Sequence, residues 1–476
     1  MVTQELDPRR WLVLAVVGAA FFMTILDVSI VNVALPTIGE ELHFSRGNLQ
    51  WVITAYALTF GGFLLLGGRA ADLLGRRSVF MVGVALFSIA SLVAGLASSE
   101  GVLIAARAVQ GLGGAIISPA ALSIVSTTFT EGAERNKALG IWGALGGSGA
   151  AVGVLLGGVL TKYAGWEWIF FVNVPVGALV LVLAARMIRE SRVETAERRY
   201  DPFGAITVTA GLALLVYAIS RAPFVGWATT RTILLLIASA VLVAAFLVIE
   251  RSVRAPLMPF RIFRVTTVAG ANVVGFLLGG VVFANFFVLT LYVQNVLHFS
   301  ALRAGVTFLA TAGTAVISAG VAQALVTRVG VKPILATGLA LLTGGMLWYT
   351  QIPVDGSYVS DLLPGYLLVG VGLAWAFVPV SIAALAGVAE REAGLASGLI
   401  NTSQQIGGAI GVALASTVFS THIGKGRATL ETLTEGYALA FWVMAGFAVA
   451  GVLATLLLIR REELAQSPAA VPTTAA

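Results

Sequence analysis

The chain has no cysteine. This excludes disulfides, thiolate metal sites and cysteine nucleophiles, and it leaves the redox compartment open. Charge is almost as scarce, at 11% of 476 residues against about a quarter in soluble domains. The three histidines, His43, His298 and His422, lie near the ends of apolar runs without metal-ligand spacing, so no metal site is expected. No Gly-rich loop closing on Lys-Ser or Lys-Thr is present, and nothing points to ATP or another cofactor. The clustered His, Asp and Glu of a membrane-embedded enzyme are missing, as are the repeated charge rings of a channel.

What fills the chain instead is apolar: 58% hydrophobic residues and 54 glycines, with a mean hydropathy of +0.95. That composition reads as an all-α polytopic membrane protein, since small residues let transmembrane helices approach closely. The net charge of +6 is spread over short loops, which topology explains better than nucleic-acid binding. Runs of about 20 apolar residues predict fourteen spans, near 11–35, 49–68, 78–98, 101–126, 137–161, 169–187, 203–221, 232–250, 265–294, 302–326, 333–351, 362–386, 395–419 and 436–459. The run following Arg9 and Arg10 is too long for a signal peptide and lacks a cleavage site, so an uncleaved first span is expected. With the N-terminus inside, about 21 of the 29 Lys and Arg fall on the cytoplasmic side and about seven outside. Both termini are therefore expected in the cytoplasm. Arg107 fits neither side, because it lies within the fourth span.

An internal repeat appears when the fifth span is laid on the thirteenth: Gly140, Gly149 and Gly153 fall on Gly398, Gly407 and Gly411. Leu74-Gly75-Arg76-Arg77 is likewise echoed by Val329-Gly330-Val331-Lys332. The predicted organisation is an N-terminal six-helix bundle (1–187), a linker carrying two extra helices (188–264), a C-terminal six-helix bundle (265–459) and a tail (460–476).

Asp27 is the one acid deep inside a predicted span. A charge there costs about 2.5–3.5 kcal/mol or more and marks a functional position by default, although helix packing against a polar neighbour is the plainer alternative. Arg107 in the same half is its natural partner. A nearby guanidinium favours the carboxylate while desolvation disfavours it, so proton binding would follow the distance between the two. A permanent ion pair fixing helix register is the static alternative. The last six spans have no interior acid and offer amides and aromatics instead. Asn32, Tyr56, Gln110, Asn285, Tyr292, Gln294, Trp375, Asn401, Gln404 and Gln405 are candidates for a substrate cavity suited to apolar or weakly polar molecules. Interhelical hydrogen bonding explains any one of the amides at least as well.

The first cytoplasmic loop, Gly68-Arg69-Ala70-Ala71-Asp72-Leu73-Leu74-Gly75-Arg76-Arg77, combines a turn glycine with an acid and bases that can pair or exchange, a conformational latch. It resembles the signature loop of the major facilitator superfamily. Ile104-Ala105-Ala106-Arg107-Ala108-Val109-Gln110-Gly111-Leu112-Gly113 is similar to that family's second motif, and Gly140, Gly149, Gly153, Gly157 and Gly158 to the antiporter motif of drug exporters. Leu26-Asp27 through Pro36, and Trp166-Glu167-Trp168 through Asn173 and Gly177, resemble the fourteen-helix drug:proton antiporter branch. Two positions depart from the pattern: Val154 stands where the antiporter motif usually has proline, and Glu167 where a basic residue is usual.

The resemblance implies two six-helix bundles around a central cavity with two inserted helices. It also implies export of small amphiphilic or cationic compounds, such as antibiotics, across the cytoplasmic membrane by alternating access, with no cofactor beyond a proton gradient. Asp27 and Arg107 would couple protons, and Gly68, Asp72, Gly75, Arg76 and Arg77 would govern switching. The implied partners are a small-molecule substrate, protons and the lipid bilayer, with no nucleic acid, and the chain is expected to act as a monomer. Export of a lipid, amino acid or other metabolite on the same scaffold is the alternative.

Overall fold

In the computed structural model the described residues are 8–45, 48–129, 133–191, 201–253, 256–257, 260–386, 388, 393–424 and 428–460. Among them every regular element is helical. Thirteen helical segments are long and apolar enough to cross a membrane, and Ala133–Tyr163, at 31 residues, is a further long helix. Each of the fourteen predicted spans coincides with one of these segments.

The chain divides into two compact units. The first, residues 1–209 with 253–257 and 300–306, holds α1 (Arg10–Glu41), α2 (Trp51–Leu74), α3 (Arg76–Gly95), α4 (Glu100–Thr128), α5 (Ala133–Tyr163), α6 (Trp168–Phe171) and α7 (Asn173–Met187). Here α4 packs against both α2 and α3, α1 against α5, and α3 against α7. α6 and α7 join through Val172, itself in helical conformation, and together form the sixth span. Aromatic side chains of α2 and α3, Tyr56, Phe60, Phe80 and Phe87, fill the core of this unit together with Val and Ile.

The second unit, residues 210–252, 258–299 and 307–476, contains most of α8 (Pro202–Val225), then α9 (Thr230–Ser252) and α10 (Thr266–Asn295). Beyond α11 (Ala301–Thr307) come α12 (Leu309–Val329), α13 (Val331–Tyr349), α14 (Leu363–Ala384), α15 (Ala393–Ile423) and α16 (Leu430–Leu458). α10 packs on α15 and α16, and α14 on α12 and α13. Ser239 of α9 donates to the Gly211 carbonyl of α8 at 2.7 Å, and Thr417 of α15 donates to the Ile219 carbonyl of α8 at 3.2 Å. Only 17% of the apolar window of α9 is buried, against 67% for α1. An apolar helix so exposed is solvated by lipid rather than protein.

The repeat read from the glycines recurs in backbone geometry. Gly75 (φ 115°) and Gly330 (φ 89°) turn the chain between α2 and α3 and between α12 and α13, and His43 (φ 53°) and His298 (φ 54°) follow α1 and α10. Both pairs are separated by 255 residues. The packing repeats as well: a Cβ on Gly153 would meet the Leu26 carbonyl and Ser29 of α1, while one on Gly407 or Gly411 would meet the backbone of α10 at Phe276 or Gly280. In each unit a glycine face lets the long helix lie at backbone contact with the unit's first six-helix member.

Candidate functional site

α1 is apolar on all sides, and Asp27 sits near its middle with no solvent exposure. α4 supplies its counter-charge. Because a Cβ on Gly111 would meet the backbone and side chains of α2, and one on Gly113 the backbone of Phe87 on α3, α4 runs at contact distance from both neighbours. That approach carries Arg107 and Gln110, on adjacent turns, into the space between α1, α2 and α3. Arg107 is 1% exposed. Its Nη1 donates to Asp27 Oδ2 at 2.5 Å and to Gln110 Oε1 at 2.7 Å, while Nε donates to the Val52 carbonyl at 2.8 Å. The guanidinium lies 4.4 Å from the centre of the Tyr56 ring, close enough for cation–π attraction in a dry site.

Gln110 joins the two charges. Its carbonyl accepts from Arg107, and its amide Nε2 donates to Asp27 Oδ1 at 2.7 Å and to Ser91 Oγ at 2.8 Å. Asn173, at the start of α7, donates to Asp27 Oδ1 at 3.1 Å and to Ser91 Oγ at 3.4 Å. The Ser91 hydroxyl in turn donates a hydrogen bond to the Phe87 carbonyl at 2.8 Å. The carboxylate thus faces three side-chain donors, from α4 and α7, and all five polar residues are buried. A buried pair is sustained by hydrogen bonds to its remaining lone pairs and protons, and here Gln110, Asn173 and the Val52 carbonyl supply them.

Ser91 carries no distinguishing sequence signal, and Asn173 stands in the tryptophan motif without a role of its own, because amides and hydroxyls in apolar helices satisfy their own backbone equally well. Asn32 does so, donating to the Val28 carbonyl at 2.8 Å. Of the ten cavity candidates, Tyr56 and Gln110 fall at the charge site. Asn285 is buried, and its carbonyl oxygen, the Trp375 indole N–H and the Gln405 carbonyl oxygen have no hydrogen-bond partner among the described residues. Tyr292 donates to the Pro353 carbonyl at 2.6 Å. Asn401 is exposed and bonds back to Ser397. Gln294 and Gln404 are half-buried, and the Gln404 backbone abuts Gly279.

In the signature loop, Gly68 packs beside Pro119 of α4, and the Asp72 side chain lies outside the described residues. Gly75 has two reasons to be glycine: its φ of 115°, and the Glu190 carboxyl 2.7 Å from where a Cβ would sit. Glu190, just past α7, caps α3. It accepts from the backbone N–H groups of Arg77 and Ser78, each at 3.0 Å, and from the Ser78 hydroxyl. The Ser191 carbonyl meanwhile accepts from Arg76 N–H at 2.9 Å. The partial burial of Glu190 opposes its charge, but these donors outweigh it and hold the carboxyl below its ordinary range.

Among the antiporter-motif glycines, Gly149, Gly153 and Gly157 abut α1, and Gly158 abuts the backbone of Ala301 and Leu302. The side-chain surroundings of Gly140 lie outside the described residues. Val154 is buried, and its carbonyl oxygen faces Gly305. Trp166 donates to Glu41 at 3.0 Å, tying the tryptophan motif to the end of α1. Glu167 folds back beside Gly165.

The sequence model of the Major Facilitator Superfamily matches residues 17–412. The chain belongs to this superfamily. It is 39% identical to the puromycin resistance protein pur8 of Streptomyces alboniger, covering 99% of this chain and 95% of that protein. It is 38% identical to the cephamycin export protein CmcT of Amycolatopsis lactamdurans, covering 90% and 89%. The nucleoside transporter NupG shares the fold, with a TM-score of 0.66 at 12% identity over 95% of this chain and 100% of that one. As a superfamily member the chain is a multi-pass membrane transporter of small molecules rather than an enzyme.

Proposed function

We propose that this transporter exports small amphiphilic or cationic compounds, antibiotics among them, across the cytoplasmic membrane in exchange for protons, as a monomer with both termini in the cytoplasm. The observation that carries the proton part is the fully buried Asp27–Arg107 pair, closed by Gln110, Ser91 and Asn173. Protonating Asp27 would leave the Arg107 cation without its anion, held by the Val52 carbonyl, the Gln110 side-chain oxygen and the Tyr56 ring. That weakens the link between α1 and α4 and gives proton binding a mechanical consequence. Deprotonation restores it. The division into 1–187, 188–264, 265–459 and 460–476 remains the working domain assignment, with Gly68 to Arg77 as the switching loop and the unpartnered polar atoms of Asn285, Trp375 and Gln405 as substrate contacts.

The relatives support efflux through their names, puromycin resistance and cephamycin export. The test is transport into inside-out proteoliposomes under an imposed pH gradient with a panel of antibiotics and cationic dyes. Gradient-dependent uptake of several unrelated compounds, lost in Asp27→Asn, is expected. Transport indifferent to the gradient would exclude proton exchange, and strict selectivity for one metabolite would exclude the multidrug reading.

A further inference from the structure

The turn between α8 and α9 gathers two charges of one sign. Between Pro202 and Ile249 the charged residues are Arg221 and Arg231 alone. Arg221 stands one turn before the end of α8 and Arg231 is the second residue of α9, on either side of the turn at Gly226 (φ 101°). Both close on Tyr217 of α8: Arg231 Nη2 donates to its hydroxyl at 3.0 Å, and the Arg221 guanidinium lies 6.0 Å from its ring centre. Neither arginine has an acidic partner among the described residues. Snorkelling explains how one long basic side chain reaches the interface. Two guanidinium groups gathered on one neutral side chain repel each other, and an anion between them relieves that repulsion.

Position narrows the anion. Seven spans lead to this turn, so it lies at headgroup depth on the membrane face opposite the N-terminus. Trp227, 52% exposed in the turn, marks the same level, since indoles favour the interface. Below Arg231 the exposed side of α9 carries Leu234 (59%), Ile237 (53%) and Val241 (60%), an apolar surface for acyl chains that a soluble anion would not use. Guanidinium groups bind phosphate oxygens in pairs, with a geometry that ammonium groups lack. A phosphocholine headgroup brings its own ammonium, which two arginines repel, so the pair favours a phosphodiester without a cation of its own.

We propose that Arg221 and Arg231, positioned by Tyr217, bind the phosphodiester of an anionic phospholipid in the leaflet opposite the N-terminus. The headgroup bridges α8 to α9, the segment with the least of its apolar window buried, 17%, among the thirteen. It would thereby tie a helix solvated mainly by lipid to its neighbour. The inference stands independently of the exporter reading, since it concerns binding rather than transport.

Native mass spectrometry of the full-length protein in neutral detergent tests it, with dioleoylphosphatidylglycerol, dioleoylphosphatidylcholine and inorganic phosphate as probes. Phosphatidylglycerol should be retained over phosphatidylcholine. The Arg221→Gln/Arg231→Gln variant should weaken that retention about tenfold or more, while Arg328→Gln, altered at an exposed arginine near the end of α12, should not. Where the double variant unfolds below the native midpoint in delipidated detergent, Arg231→Gln alone, altered at an exposed side chain, replaces it and should weaken retention in the same direction. Equal retention of the two lipids, native retention in the Arg221 and Arg231 variants, or an equal loss in Arg328→Gln would overturn the site. Displacement of phosphatidylglycerol by inorganic phosphate would overturn the lipid assignment in favour of a soluble anion.

Discussion

Replacing Asp27 by Asn probes the ion pair and its role separately. The carboxylate accepts from Arg107, Gln110 and Asn173; an amide keeps one oxygen for these donors and turns an NH2 group toward the others. Arg107, 1% exposed, is left as a buried cation without an anion. Breaking a buried pair from one side costs about 3–5 kcal/mol, so Asp27→Asn should unfold well below the native midpoint when heated in detergent and followed by tryptophan fluorescence. Removing both charges takes away the orphaned cation. Asp27→Asn/Arg107→Gln should therefore be less destabilised than the two single changes added together, by roughly 1–3 kcal/mol of coupling. Additive losses would refute the pair as an energetic unit. The second readout is gradient-driven uptake in proteoliposomes. Asp27→Asn transporting at the native gradient-driven rate would leave the pair a fixed strut and remove Asp27 from proton coupling.

Three further outcomes follow from the same geometry. Gly153→Ala would set a Cβ 2.8 Å from the Leu26 carbonyl on α1 and against the Ser29 hydroxyl, so thermal unfolding should show a loss of about 1–3 kcal/mol, whereas Gly313→Ala, with nothing within 4 Å, should be neutral or slightly stabilising. Gly75→Ala forces a side chain into φ 115° beside the Glu190 carboxyl and should cost about 1–2 kcal/mol or more by the same measurement; an unchanged midpoint would mean the turn is not held in this form. Because the folded Glu190 carboxyl is held below its ordinary range, its cap stabilises α3 fully above the ordinary carboxylate value and is lost as pH falls through the lower folded value. The native midpoint should drop across that acidic window, Glu190→Gln should flatten the drop, and identical pH profiles for the two proteins would remove Glu190 from the capping role.

The fourteen spans were legible because a bilayer imposes length and composition on each helix separately. The central pair was legible for a related reason. A charge inside an apolar span must find a partner, and Arg107 was the one cation away from the ends of the spans of the same half. The turn at Gly75 and its counterpart at Gly330 could be read from the repeat, since a tight turn between two long helices favours a residue without Cβ.

The rest depended on which helices touch. Asn32 and Asn173 are the same residue type in similar apolar surroundings, yet one bonds its own helix and the other closes the carboxylate site. The difference comes from the packing of α7 on α3 and α1, which aims Asn173 at Asp27 and Ser91. Glu190 read as one more charge in a polar break, and only the meeting of α7 with the start of α3 makes it a cap. Sequence alone determined that a carboxylate and a guanidinium had to be buried together, because hydrocarbon admits no lone charge. Tertiary structure alone decided which neutral groups complete that pair, because an amide or hydroxyl carries no charge to force its choice and bonds whichever partner the packing brings within reach.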